Sequence, residues 1–139
     1  MSRSTHWSTI ASMGPDLDAD RLAEELASLR DSELDAFCIW LDEVLASLNT
    51  ADHRAEAAYA FETARDGDHA RSWAAPELAC PVDFTELRAT VVAHGEDAWR
   101  VVLAEPALLP GGWPTGLGRQ LLETVGAVLR DSLAHRVLG

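Results

Sequence analysis

Apolar residues recur at three- and four-residue intervals along most of the chain, which is the period of an amphipathic α-helix. An early helix is predicted over residues 18–30, with acidic residues at its N-terminal end and Leu22, Leu26 and Leu29 as its apolar stripe. The clearest pattern follows Ser32, which stands three residues before Asp35 and so resembles the start of a capping box. The apolar residues of this second helix are Leu34, Phe37, Cys38, Leu41, Val44, Leu45 and Leu48.

The same pattern continues through the rest of the chain. Thr50 or Asp52 can cap a helix that reaches Phe61, and residues 66–81 then have the composition of a loop. Asp83 and Glu86 form a second predicted capping box, for a helix that begins at Phe84 and ends at Gly95.

A further helix that contains Ala98, Trp99, Val102 and Leu103 is predicted to continue to Pro106, and the longest helix is predicted over residues 115–137. Gly126 lies at the border of the apolar face of this last helix, where another helix could approach closely. Alternating strand patterns and internal repeats are absent. The expected fold is therefore a single all-α domain, residues 1–139, built from about six helices with a long C-terminal helix.

The composition of the chain excludes several classes of partner and location. The formal net charge is -12, and all eleven basic residues are arginine. Such a chain repels the phosphates of nucleic acids and anionic membrane surfaces, so neither is an expected partner. The chain has no apolar run long enough to span a membrane, and its first ten residues have no apolar signal core, so a cytoplasmic protein is expected. Two cysteines make neither a disulfide framework nor a zinc site, and Cys38 is expected to be a core thiol.

The negative charge is concentrated in the first three-fifths of the chain. Residues 1–83 hold 17 acidic residues and six arginines, whereas residues 84–139 hold six acidic residues and five arginines. In the helix after Ser32, Ile39 lies among the acidic residues and not on the apolar side. An isoleucine on an acidic face would either pack against a second layer of the protein or anchor a partner helix. The candidate partner-binding residues are Asp31, Asp35, Ile39, Trp40, Asp42 and Glu43.

From Asp83 onward the chain resembles a known family. The residues that carry the resemblance are Phe84, Leu87, Arg88, Val91, Val92, Gly95, Trp99, Leu103, Pro106 and Leu109, at their spacing in this sequence. They are similar to the signature of the uncharacterised bacterial domain-of-unknown-function family catalogued as number four thousand two hundred and forty. The resemblance implies a mostly helical bacterial protein and brings no reaction and no catalytic residues.

Residues suited to chemistry are few. His53 and Glu56 lie one helical turn apart and could bind a metal ion if Asp66, Asp68 or His69 folded back beside them, although an exposed polar face explains the same residues. His69, Cys80, Asp83 and Arg88 are the candidates for a catalytic or ligand-binding group. Arg88 is also suited to tie helix ends together. No cofactor is expected.

Two classes of function follow. The first is a binding or accessory module that engages another protein, with a basic partner favoured, through the acidic N-terminal helices. The alternative is a small enzyme or a ligand- or metal-binding protein with a pocket formed by the loops at residues 66–82 and 109–116. Trp73 and Trp113 lie in these loops, as binding anchors or as residues that hold the loops on the core.

Overall fold

The computed structural model describes residues 3–57, 81–109 and 116–138, and these are mostly helical and contain no strand, which confirms the all-α class. The longest described helix is the C-terminal one, as predicted. The helices are α1 (Arg3–Ala11), α2 (Ala19–Ala27), α3 (Asp31–Ser47), α4 (residues 51–57), α5 (Pro81–Ala93), α6 (Glu96–Ala104) and α7 (Leu117–Leu138), with a short 3-10 helix at Pro106–Leu108.

The boundary between α2 and α3 differs from the prediction. α2 begins as expected, with the Asp18 carboxylate accepting a hydrogen bond from the backbone N–H of Asp20 at 3.0 Å. It ends at Ala27, and Arg30 is the extended residue that precedes α3. The Glu33 carboxylate accepts a hydrogen bond from the Arg30 backbone N–H at 3.0 Å. The capping interaction therefore lies two residues before the predicted Ser32–Asp35 pair, because Glu33 rather than Asp35 reaches back.

The start of α5 also corrects a prediction. The helix begins at Pro81, so Asp83 is its third residue and does not cap a helix that starts at Phe84. Proline is favoured at the first position of a helix because its fixed φ is helical and its missing N–H would have no partner there. Gly95 has a φ of +108° and separates α5 from α6, as predicted for a glycine at the end of a helix.

One apolar core takes buried residues from each of the seven helices. α7 packs most extensively against α5 and also contacts α2 and α3, while α1 contacts α2, α3 and α5. Trp7 and Trp99 are both buried, and their ring centroids lie 5.5 Å apart. The Trp99 indole N–H also donates to Ser47 Oγ at 2.9 Å, so its polar atom is satisfied inside the core.

A close approach of two helices lies at Gly118 rather than at the predicted Gly126. A Cβ at Gly118 would collide with the carbonyl oxygen of Glu86 on α5, and the Gly118 N–H donates to Thr90 Oγ1 at 3.0 Å. Gly126 has no atom within 4 Å of its Cβ position. The sequence pattern places Gly126 at the border of the apolar face of α7, but α5 packs on α7 about two turns earlier, at Gly118.

Candidate protein-interaction surface

The solvent side of α3 is an acidic surface with one apolar residue at its centre. Ile39 is 61% exposed and does not pack against a second layer. Asp42 and Glu43 follow it by three and four residues and are exposed, and Asp35 precedes it by four. Residues at these spacings are neighbours on a helix surface. We call the surface formed by Asp31, Asp35, Ile39, Asp42 and Glu43 the α3 face.

Trp40 does not belong to this surface, which corrects the sequence prediction. Its side chain is only 6% exposed. The ring stacks on His6 at a centroid distance of 5.1 Å and meets Trp7 edge-on at 4.9 Å. Trp40 lies at the edge of the apolar arc of α3, and α1 covers that edge. It therefore belongs to the core.

The two halves of the α3 face differ in how their charges are matched. At the N-terminal half, Asp31 and Asp35 both pair with Arg136 of α7, at 3.3 and 3.1 Å. At the C-terminal half, no basic side chain of the described residues pairs with Asp42 or Glu43. The exposed carboxylates of Asp42 and Glu43 are thus available to a partner beside an apolar side chain.

Cys38, expected to be a core thiol, is half-buried and packs against the core. Burial raises the pKa of its thiol, and the nearby carboxylates of Asp42 and Asp35 raise it further, against a smaller opposing effect of Arg136. A thiol with a raised pKa is mostly protonated near neutral pH and is a poor nucleophile. Cys38 therefore has no features of a reactive cysteine.

The structure does not support His53 as a metal ligand. His53 is buried, with Nε2 2.9 Å from the Val102 carbonyl oxygen and Nδ1 2.6 Å from Thr50 Oγ1. A carbonyl only accepts hydrogen bonds, so Nε2 carries the proton and Nδ1 accepts from the hydroxyl. Both ring nitrogens are therefore engaged: Nε2 joins α4 to Val102 of α6, and Nδ1 contacts Thr50 beside the start of α4. Neither is free to bind a metal.

The remaining metal and catalytic candidates are not brought together within the described residues. Glu56 is half-buried at the end of the described part of α4. In residues 3–57, 81–109 and 116–138, no three His, Cys, Asp or Glu side chains form a group that could hold a metal ion. Four other candidates lie outside these residues, namely Asp66, Asp68, His69 and Cys80. The same is true of Trp73, Trp113 and most of the two loops of the predicted pocket.

Arg88 ties two helices together. Its Nη1 donates to the carbonyl oxygen of Leu45 at 2.8 Å, near the end of α3, and its guanidinium lies 4.6 Å from the centroid of the Phe84 ring. The side chain is buried, and burial lowers its pKa below the usual arginine value. These contacts agree with the structural role suggested by the sequence, in which Arg88 ties helix ends together.

Sequence reasoning missed Arg136 and His6. Arg136 contacts Asp35 across 101 positions of the chain, so no local pattern could indicate the pair. His6 is buried against Phe37 and Trp40, and burial lowers the pKa of its imidazole. The spacing of Trp7 and Ile10 indicates a helix, but only the packing of α1 on α3 places His6 inside the core.

None of the described helices is both long enough and apolar enough to span a membrane. No family model, curated protein or solved structure matches the chain. The resemblance of residues 83–109 to the bacterial family of unknown function therefore stays a prediction. The α3 face has to be interpreted from its own chemistry.

Proposed function

We propose that this protein is a cytoplasmic binding or accessory module that engages a basic segment of another protein through the α3 face. The observation that carries the proposal is Ile39, a large apolar side chain 61% exposed beside the carboxylates of Asp42 and Glu43, with which no basic side chain of the described residues pairs. An apolar anchor inside a polar rim is a common arrangement at protein interfaces.

The charges give the partner its expected chemistry. The chain carries a net charge of -12, so its field attracts basic surfaces and accelerates their association. A helix or loop with arginine or lysine residues on both sides of an apolar stripe could pair with the carboxylates and cover Ile39. Because the carboxylates are exposed, salt should weaken the complex.

A synthetic helical peptide with a leucine stripe flanked by arginines is a suitable probe. Its affinity is measured by fluorescence anisotropy for the parent protein and for the variant Asp42→Asn/Glu43→Gln. The matched control is Glu24→Gln/Glu25→Gln, which removes the same charge from exposed positions of α2.

The proposal predicts that the α3 variant binds several-fold more weakly than the α2 control. Ile39→Ala should also weaken binding, by about 5-fold or more, although it leaves the charge unchanged. Equal affinities for the two charge variants, together with no effect of Ile39→Ala, would show attraction by net charge alone and would contradict a specific α3 site.

A further inference from the structure

The last third of α7 is not held by apolar burial. Within the described part of α7, the last buried residue is Val125, and no residue from 130 to 138 is buried. Leu133, Val137 and Leu138 are 45%, 85% and 86% exposed. Because burial of apolar surface supplies most of the energy that holds helices in place, this segment must depend on other contacts.

Among the described residues, the polar contacts of this segment with another helix end on the N-terminal half of the α3 face. The Arg136 guanidinium binds Asp35 through two hydrogen bonds of 3.1 Å each, and its Nε lies 3.3 Å from Asp31 Oδ2. Its Nη2 also donates to the backbone oxygen of Asp31 at 3.3 Å. Ser132 Oγ donates to Asp31 Oδ1 at 3.1 Å. We call Ser132 and Arg136 the α7 latch.

We infer that the α7 latch regulates the α3 face by occupying Asp31 and Asp35 with a guanidinium of the protein's own chain. The inference rests on the proposed function, because the latch places on these carboxylates the group that a basic partner would bring. With the latch closed, Asp42 and Glu43 are the carboxylates beside Ile39 that have no basic partner within the part of the chain that the structure describes. With the latch open, all four carboxylates of the surface are available.

The latch is suited to exchange with a partner because its contacts are partly exposed. Asp31 and Asp35 retain 65% and 47% of their side-chain exposure, and Arg136 retains 26%. Ion pairs at such positions are screened by salt, and forming them costs side-chain entropy, so they contribute little net stability. A partner arginine can therefore replace Arg136 at the same carboxylates without disturbing the core.

Hydrogen exchange of the backbone amides of residues 131–137 tests the latch without any partner. The variant is Arg136→Ala, and the matched control is Arg130→Ala, which removes the same charge from an exposed position of the same helix. We expect exchange about 2- to 5-fold faster in Arg136→Ala than in the control, the range that exposed ion pairs supply. Equal exchange in the two variants would overturn the inference, whatever the outcome of the binding experiment.

The affinity of the leucine–arginine peptide then tests regulation. Because the two variants have the same net charge, we expect Arg136→Ala to bind the peptide about 2- to 5-fold more tightly than Arg130→Ala. Binding that depends on Asp42 and Glu43 but is equal in the two arginine variants would overturn the regulatory role and leave the proposed function intact. Absence of α3-dependent binding in every variant would overturn both.

Discussion

The same substitution, glycine to alanine, is expected to have opposite effects on the free energy of unfolding at two positions of α7. A Cβ at Gly118 would lie 2.7 Å from Thr90 Oγ1 and 2.8 Å from the Thr90 backbone nitrogen, and would also collide with the Glu86 carbonyl oxygen. Two of these three atoms belong to the backbone of α5, so they cannot move without displacing the helix. At Gly126 the new methyl group would enter open space.

The magnitudes follow from these surroundings. Gly118→Ala forces α5 and α7 apart at their most extensive contact, and overpacking of this kind costs about 1–3 kcal/mol. It also strains the hydrogen bond from the Gly118 N–H to Thr90 Oγ1. Gly126→Ala only removes the entropy penalty of a glycine inside a helix, and should stabilise the protein by about 0.5–1 kcal/mol.

Urea denaturation followed by circular dichroism measures both free energies of unfolding. The expected order of stability is Gly126→Ala, then the parent, then Gly118→Ala. If both variants were more stable than the parent, helix propensity alone would explain the results, and the close approach of α5 and α7 at Gly118 would be refuted.

Three further predictions concern buried side chains. Burial lowers the pKa of His6, so the unfolded chain takes up a proton at a higher pH than the native protein does. The free energy of unfolding should therefore fall between pH 7 and pH 5 more steeply in the parent than in His6→Phe, and equal slopes by urea denaturation would contradict this. Trp99→Ala should cost about 3–5 kcal/mol as a core truncation, measured by denaturant unfolding, and a variant as stable as the parent would remove Trp99 from the core. Arg88→Ala removes the charged donor to the Leu45 carbonyl oxygen, which then accepts only from the Leu48 backbone N–H among the described residues, and should cost about 1.5–3 kcal/mol in the same assay; an unchanged free energy of unfolding would show that water replaces the guanidinium freely.

Local periodicity was sufficient to predict the helices and much of the core. The stripe of Leu22 and Leu26 on α2 is buried, as are Leu34, Phe37 and Leu41 on α3. Gly95 was recognisable because a glycine between two helical patterns has a specific conformational reason to be there. These features depend on residues within a few positions of one another.

Features that depend on contacts between distant helices could not be predicted in this way. Trp40 lies at the edge of the apolar side of α3, and it is buried because α1 packs against that edge. The sequence indicated Gly126 as the position of a close helix contact, but the place where α5 packs on α7 puts that contact at Gly118. The acidic side of α3 was predicted from the sequence, whereas the pairing of its N-terminal half with Arg136 required the fold.

The most direct test of the central claim places a genetically encoded photocrosslinker at position 39, in extract from the cells that naturally make the protein. The matched control places it at Leu108, another exposed apolar residue, in the short 3-10 helix. We predict a discrete adduct with a basic protein from position 39, reduced by salt and by Asp42→Asn/Glu43→Gln. The same adducts from both positions, or none from position 39, would contradict a protein-binding α3 face.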